Sequence, residues 1–163
     1  MTVRVRAARV EDHEAIARVS VAAYEADGQL KGEIPYAATL ADVASRVGAG
    51  EIYVAVDADE VVLGAVTFVL PGSPFAELSG PGEAEFRMLA VDPVAQGRGV
   101  GEALARACVR RAGELGCAAV VICTRDFAAP AQRLYARMGF VRDPGLDWSP
   151  MPGVQLLGLR LAL

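Results

Sequence analysis

E-F-R-M-L-A-V-D-P-V-A-Q-G-R-G-V-G-E-A-L-A-R-A-C-V-R-R-A-G-E-L, residues 85–115, decides the fold. Glu85 to Val91 is short and rich in apolar residues, the pattern of a strand. Asp92-Pro93 stops it. Gly97, Gly99 and Gly101 then stand at alternate positions. Val100, Ala103, Leu104, Ala107, Cys108 and Leu115 recur at helical spacing, with Arg106, Arg110 and Glu114 elsewhere on the wheel. The unit is strand, glycine loop, helix. A helix start exposes unpaired N–H groups and the positive end of the dipole. Glycines let the backbone adopt positive φ and approach a ligand closely. The combination suits a phosphate or pyrophosphate, and Arg98 inside the loop adds a candidate bidentate contact.

The spacing excludes two common phosphate binders. A P-loop needs Lys after its glycines, and none follows here. A G-x-G-x-x-G fingerprint ends on Glu102 if it starts at Gly97, and on Leu104 if it starts at Gly99. Q-x-x-G-x-G, from Gln96 through Gly99 to Gly101, does fit. On this motif the sequence resembles the GNAT superfamily of acyl-CoA-dependent N-acyltransferases. The L-A-V-D-P lead-in, Leu89 to Pro93, is similar to the family's fourth strand, and L-Y-A-R-M-G-F, Leu134 to Phe140, to its fourth helix and the turn after it. With the flanking elements the resemblance covers nearly the whole chain.

Composition sets the frame. A chain of 163 residues, 53% hydrophobic and 22% charged, makes one domain with a real core, residues 1–163. The net charge of −4 points away from nucleic acid and anionic membrane and toward a cationic acceptor. Cys108, Cys117 and Cys123 are odd in number and form no C-x-x-C, so the sequence indicates neither a metal site nor a disulfide frame. The start M-T-V-R-V-R-A-A-R lacks a signal peptide's pattern, and the longest apolar run, Val61 to Leu70, is too short for a bilayer. A cytoplasmic location is expected.

Along the chain, Thr2 to Arg9 alternates as a half-buried strand, and Glu11 to Ala26 is a helix with His13 in its first turn. Asp27 to Ala37, with Gly28, Gly32 and Pro35, reads as a loop flanked by Tyr24 and Tyr36. Thr39 to Val47 reads as a short helix with Thr39 as N-cap. Strands Glu51 to Asp57 and Val61 to Leu70 enclose a hairpin turn at Asp57 to Glu60. Leu70 to Gly82, rich in Gly and Pro, is a long connection of the kind that is often functional. After the central unit, Ala118 to Thr124 is a buried strand and Pro130 to Met138 a helix closed by Gly139. Phe140 to Arg142 begins a strand, Asp143 to Gly153 is a loop, and Val154 to Leu163 is the last strand.

The order β-α-α-β-β-β-α-β-α-β-β matches the GNAT order. The resemblance therefore implies an α/β fold: a mixed, mostly antiparallel sheet of about seven strands with four helices, splayed between strands 4 and 5. It implies acetyl-CoA as co-substrate, with no metal and with pantetheine along the fourth strand. The backbone of Leu89, Ala90 and Val91 would hold the pantetheine. The amides of Gly97, Arg98, Gly99, Val100 and Gly101 would hold the pyrophosphate, with Gln96 and Glu102 beside them.

Acetyl transfer to an amine needs a neutral amine, donors for the carbonyl oxygen and a proton for the leaving thiolate. Tyr135 matches the family tyrosine that protonates the thiolate. Glu85 is the candidate base: it starts the fourth strand, and period two puts it on one face with Arg87, Leu89 and Val91. Pairing with Arg87, or a solvated strand end, would instead give it a structural role. Other relatives carry a glutamate in the fifth strand, where this chain has Cys123. Many carry an Asn before the fourth helix, where this chain has Ala128. Tyr24, Tyr36, Asp147 and Trp148 lie in segments that border the acceptor site in relatives.

The sequence thus reads as an N-acetyltransferase that moves an acetyl group to a primary amine, on a small molecule or a peptide N-terminus, by direct attack. The competing reading is an acyl-CoA-binding sensor or interaction module without turnover. Relatives often form homodimers, and the resemblance extends that expectation to this chain.

Overall fold

A computed structural model describes residues 2–30 and 34–163. The strands are β1 (Arg4–Ala7), β2 (Glu51–Val56), β3 (Val62–Val69), β4 (Glu83–Val91), β5 (Ala119–Arg125), β6 (Val141–Arg142), β7 (Trp148–Met151) and β8 (Val154–Ala162). The helices are α1 (His13–Ala26), α2 (Ile34–Ala41), α3 (Val100–Glu114) and α4 (Ala129–Met138). One sheet runs β1-β2-β3-β4-β5-β8-β6, with β7 also on β8. Every pairing is antiparallel except β4 with β5. No helix among the described residues is long and apolar enough to cross a membrane.

The sheet is covered on both faces. On one, Ile16 and Val19 of α1 bury against Val54, Val56, Val62 and Ala65. On the other, Val100 and Leu104 of α3 and Tyr135 of α4 bury against Phe68, Phe86 and Ile122. The continuous burial of β3 follows, since a strand covered on both sides has no solvent face.

Two expectations are corrected. The helix placed at Thr39 to Val47 instead starts at Ile34 and ends at Ala41, so the loop expected through Ala37 is shorter. Pro35 fits a first helical turn, where its missing N–H costs nothing. Thr39 is no N-cap: its carbonyl, with that of Leu40, accepts from the buried Arg46 guanidinium, at 2.9 and 3.3 Å. The cap on these C-terminal carbonyls stops α2, and a single 3-10 turn, Ala44–Arg46, follows. Gly32 lies outside the described residues. The second correction is β7, inside the expected loop Asp143 to Gly153. Trp148 pairs with Leu156 and Met151 with Val154, and Pro150 is tolerated at such an edge. The sheet therefore has eight strands.

β1 is tied to α1 by one carboxylate. Asp12 accepts from Arg6 Nη1 at 2.7 Å, Arg6 Nη2 at 3.1 Å and the Arg9 N–H at 2.8 Å. The Arg6 hydrogen bonds hold its carboxyl below the ordinary aspartate range, against the opposing effect of burial. A carboxyl depressed in the folded state stabilises fully above its unfolded value, near pH 4, and that stabilisation fades as pH falls further. Asp12→Asn is expected to lower unfolding free energy by about 2 kcal/mol at pH 7 and to flatten the loss of stability below pH 4. Urea melts at pH 7 and pH 3 measure both.

Candidate active site between the splayed strands

β4 and β5 share three residue pairs, Glu83↔Ala119, Ala84↔Val120 and Glu85↔Val121, and then part. From Phe86 onward β4 still pairs with β3, and β5 with β8. A wedge opens between them. Its cause lies partly in Met88, which takes φ +55°. Across it, Thr67 pairs with Arg87 but Ala65 with Ala90, so β4 carries one residue more than β3. A bulge of this kind bends the strand and reverses its alternation. Ala84 and Phe86 face α3 and α4 before it, and Leu89 and Val91 face them after it. The expectation that Glu85, Arg87, Leu89 and Val91 share a face is therefore corrected: the first two point to the opposite side from the last two.

At the end of β4 the glycine loop leads into α3. Gly97 and Gly99 take φ +81° and +76°, and Gly99 is the left-handed residue before the helix. A Cβ at either would meet nothing within 4 Å, so the glycines answer to backbone conformation and leave open space beside the loop. The first N–H groups of α3, at Val100, Gly101 and Glu102, have no partners within the helix. Gly101 differs from the expected role. It is helical, and a Cβ there would touch Leu134, Val91 and Leu89 at 3.5–3.7 Å, ordinary packing distance. Gln96 and Arg98 are exposed beside the loop. Glu102 points to Arg106 at 3.0 Å and Arg137 at 4.0 Å. Loop geometry, open space and unpaired N–H groups together fit the pyrophosphate of a coenzyme A. The edge of β4 freed at Leu89, Ala90 and Val91 fits an extended amide-bearing arm.

Two adjoining cavities occupy the wedge. The smaller, about 80 Å³, lies against α4 and is lined by Leu89, Ile122, Ala128, Ala131 and Tyr135 among others. The larger, about 190 Å³, opens toward α1, α2 and β7. Tyr135 is buried in an aromatic cluster with Phe86 and Phe140, ring centroids 5.9 and 5.6 Å away. Burial pushes its phenol well above the ordinary range, so the group holds its proton.

Of the two roles the sequence leaves open to Glu85, base or structural residue, its surroundings fit the second. It is fully buried and lines neither cavity. It does not pair with Arg87 either. Its Oε1 accepts from the N–H groups of Glu77, Leu78 and Ser79 and from Ser79 Oγ, at 3.0–3.1 Å, and Oε2 accepts from Glu77 N–H at 3.1 Å. A carboxylate whose lone pairs are taken by fixed donors is poorly placed to receive a proton from an amine. It is the anchor of the 70–82 loop.

That loop delivers the carboxylate which the cavity does contain. Glu77 lines the larger cavity, with Oε1 3.0 Å from Arg87 Nε and 3.8 Å from Cys123 Sγ. Burial raises its carboxyl above the ordinary range; Arg87 opposes this and Glu85 adds to it. Sequence reasoning expected no glutamate beside the fifth-strand position held by Cys123. One arrives there from the loop, and the only signal for it was the loop's length. Burial pushes the Cys123 thiol up to about 12, so it stays protonated. Arg87 is held by Glu77 and, through Nη1, by the Phe75 carbonyl at 3.0 Å.

Of the four residues expected to border the acceptor site, Tyr24 and Tyr36 line the larger cavity, their rings 5.7 Å apart. Asp147 and Trp148 do not line it. Asp147 is occupied by Arg142, at 2.8 and 2.9 Å, and by the Gly158 N–H at 2.7 Å. Pro150 and Met151 of β7 take that side of the cavity instead.

Fold and site define a class: an α/β protein with a parted parallel strand pair, a glycine loop and helix start at its mouth and a cavity beyond that is lined by apolar and a few charged residues. Residues 14–140 match the Acetyltransferase (GNAT) family, and the chain belongs to it. Over 83 residues it is 31% identical to an uncharacterized N-acetyltransferase of Schizosaccharomyces pombe. The match covers 51% of each, so the chain spans about half the length of that curated relative. A GNAT acetyltransferase from Staphylococcus aureus superposes with TM-score 0.77 at 14% identity over 99% of both chains. The PaiA N-acetyltransferase of Thermoplasma acidophilum, crystallised with coenzyme A, gives 0.76 at 13% over all of both chains. At these identities the likeness shows the fold.

Gly99→Val is expected to weaken coenzyme A binding at least about tenfold, because positive φ costs a β-branched residue 1–2 kcal/mol or more and misdirects the loop amides. Calorimetry measures the affinity, and circular dichroism checks that the fold persists. Glu85→Gln places an NH2 among N–H donors. It is expected to cost about 3 kcal/mol of stability, read by urea melts, through lost charge-assisted hydrogen bonds and unpaired amides.

Proposed function

We propose that the protein is an acetyl-CoA-dependent N-acetyltransferase, with a primary amine attacking the thioester directly. The observation that carries this reading is the wedge itself, with a buried neutral phenol, Tyr135, in one of its two adjoining cavities and a carboxylate, Glu77, in the other. The family adds weight, as does the coenzyme A held by the PaiA structure.

Acetyl-CoA supplies an activated thioester, so the protein's own work is positional and protonic. The amides of Gly97, Arg98, Gly99, Val100 and Gly101 receive the pyrophosphate, beside Gln96 and Glu102. The freed edge at Leu89, Ala90 and Val91 aligns the pantetheine amides. Glu77 takes a proton from the incoming ammonium, and its raised carboxyl brings it nearer the working pH of a general base. The C–N bond then forms as the C–S bond breaks. Tyr135 gives its proton to the departing thiolate, and the second proton, shed by the nitrogen as it becomes an amide, restores the phenol. We assign the base to Glu77 rather than Glu85, because Oε2 of Glu77 has no partner among the described residues, whereas the oxygens of Glu85 are occupied.

Free-thiol release from acetyl-CoA with a panel of amines tests the reading; coenzyme A binding without turnover on any amine would favour a sensor instead. Tyr135→Phe keeps the ring and is expected to lower kcat about tenfold to a hundredfold with unchanged coenzyme A affinity. Glu77→Gln is expected to remove the acid-side limb of the kcat profile, its defect shrinking as pH rises and more amine is already neutral. Tyr135→Phe shows no such rescue. Full activity in either variant removes that residue's role.

A further inference from the structure

The larger cavity carries information about the acceptor. Its charged lining residues are Glu77, Arg87 and Arg125, one carboxylate against two guanidiniums. The chain as a whole is acidic at −4, so this wall runs against the surface average. Arg87 is largely spoken for by Glu77 and the Phe75 carbonyl. Arg125, at the open end of β5, is not. Its Nη1 donates to the Gln29 carbonyl at 3.2 Å, and its guanidinium lies 4.8 Å from the Phe127 ring centroid. Its Nη2 has no partner among the described residues, and its Nε is buried without one. Thr124, the preceding residue of β5, also borders the cavity from the opposite face of the strand.

Buried polar atoms without partners cost about 1–3 kcal/mol each. A guanidinium that lines the cavity with an unpartnered nitrogen asks for a ligand that supplies acceptors. A guanidinium with an open edge suits a planar or tetrahedral oxyanion. The opposite charge is at Glu77, where the amine is to be received. A second cationic centre, as in a diamine or polyamine, would meet a wall that is already positive. The volume of about 190 Å³ is somewhat above the roughly 150 Å³ of a cavity that takes benzene, so the occupant is small.

We propose that the acceptor is a small amine that also carries an anionic group, a carboxylate or a phosphonate, and that Arg125 receives the anion while Glu77 faces the amine. This rests on the acetyltransferase reading for the fate of the amine, but not for the binding of the anion. It reverses the preference for a cationic acceptor that the net charge of the chain suggests. Arg125 is then a specificity-determining residue, away from the bonds that form and break.

The test compares free α-amino acids, their aminophosphonate counterparts, their methyl esters and putrescine. Each is followed by thiol release from acetyl-CoA and by calorimetry on the coenzyme A-loaded protein. At least one free acid or phosphonate is expected to exceed its own ester in kcat/KM by about tenfold or more, the scale of a charge-assisted hydrogen bond. The better of those two arms identifies the anion. Arg125→Met is expected to raise KM for that acceptor about tenfold while leaving the ester's KM and the coenzyme A affinity unchanged. The unchanged coenzyme A affinity is also the control for folding, because Arg125 tethers Gln29. Arg125→Lys, which keeps the charge and loses the fork, is expected to fall between wild type and Arg125→Met. A preference for esters or putrescine, or an Arg125→Met variant with unaltered KM for the acid, overturns the proposal. If no amine is turned over, the acetyltransferase reading fails on its own. Binding of the acid to the loaded protein, lost in Arg125→Met, still upholds the anion site, and absence of that binding overturns it.

Discussion

The site depends on β4 and β5 pairing for three residues and then separating. A parallel pair that ran its full length would fill its own backbone hydrogen bonds and leave nothing for a ligand. Here the freed edge of β4 past Phe86 has donors and acceptors but no neighbouring strand. The bulge at Met88 turns the strand at the same place. One backbone irregularity thus does two things. It opens the wedge, and it moves Leu89 and Val91 onto the face where α3 and α4 pack. Because Leu89 and Val91 then pack beside Gly101, the end of β4 and the start of α3 are held in fixed relation.

The second constraint is the buried carboxylate of Glu85. A 13-residue run rich in Gly and Pro, residues 70–82, has no regular structure to satisfy its amides. Three successive N–H groups converge on Glu85 instead, and Glu83 takes the N–H of Gly80 at 2.8 Å. Ser73 Oγ fixes the other end on the Ala49 carbonyl at 2.6 Å. The loop is therefore a built part of the site, and its product is the position of Glu77 beside Arg87 and Cys123. The two glutamates have different surroundings. Glu85 is saturated with hydrogen bonds and holds the loop; Glu77 is desolvated, has one oxygen with no partner among the described residues and faces the cavity.

The charge at the cavity is likewise local. A net surface charge reflects residues dispersed over the whole exterior, whereas a ligand responds to the few groups within hydrogen-bond reach. Arg87 and Arg125 come from adjacent strands that part, so their shared cavity exists only once the wedge has formed. The aromatic walls come from Tyr24 of α1 and Tyr36 of α2.

The sequence alone determined the element order, the strand–glycine loop–helix unit and the left-handed need at Gly97 and Gly99, because these follow from local periodicity and from backbone conformations that few residues adopt. Through the resemblance carried by L-Y-A-R-M-G-F it also singled out Tyr135, which the structure places on the smaller cavity. It misjudged the bounds of α2, whose C-terminal carbonyls accept from Arg46 beyond the helix end, and it missed β7, which exists only by pairing with β8. The tertiary structure decided the faces of β4, because one bulged residue reverses an alternation that counting by twos assumes regular. It also decided which glutamate meets the cavity. Glu77 and Cys123 are 46 residues apart in the chain, and no pattern of spacing joins them; the hydrogen bonds from the loop to Glu85 do.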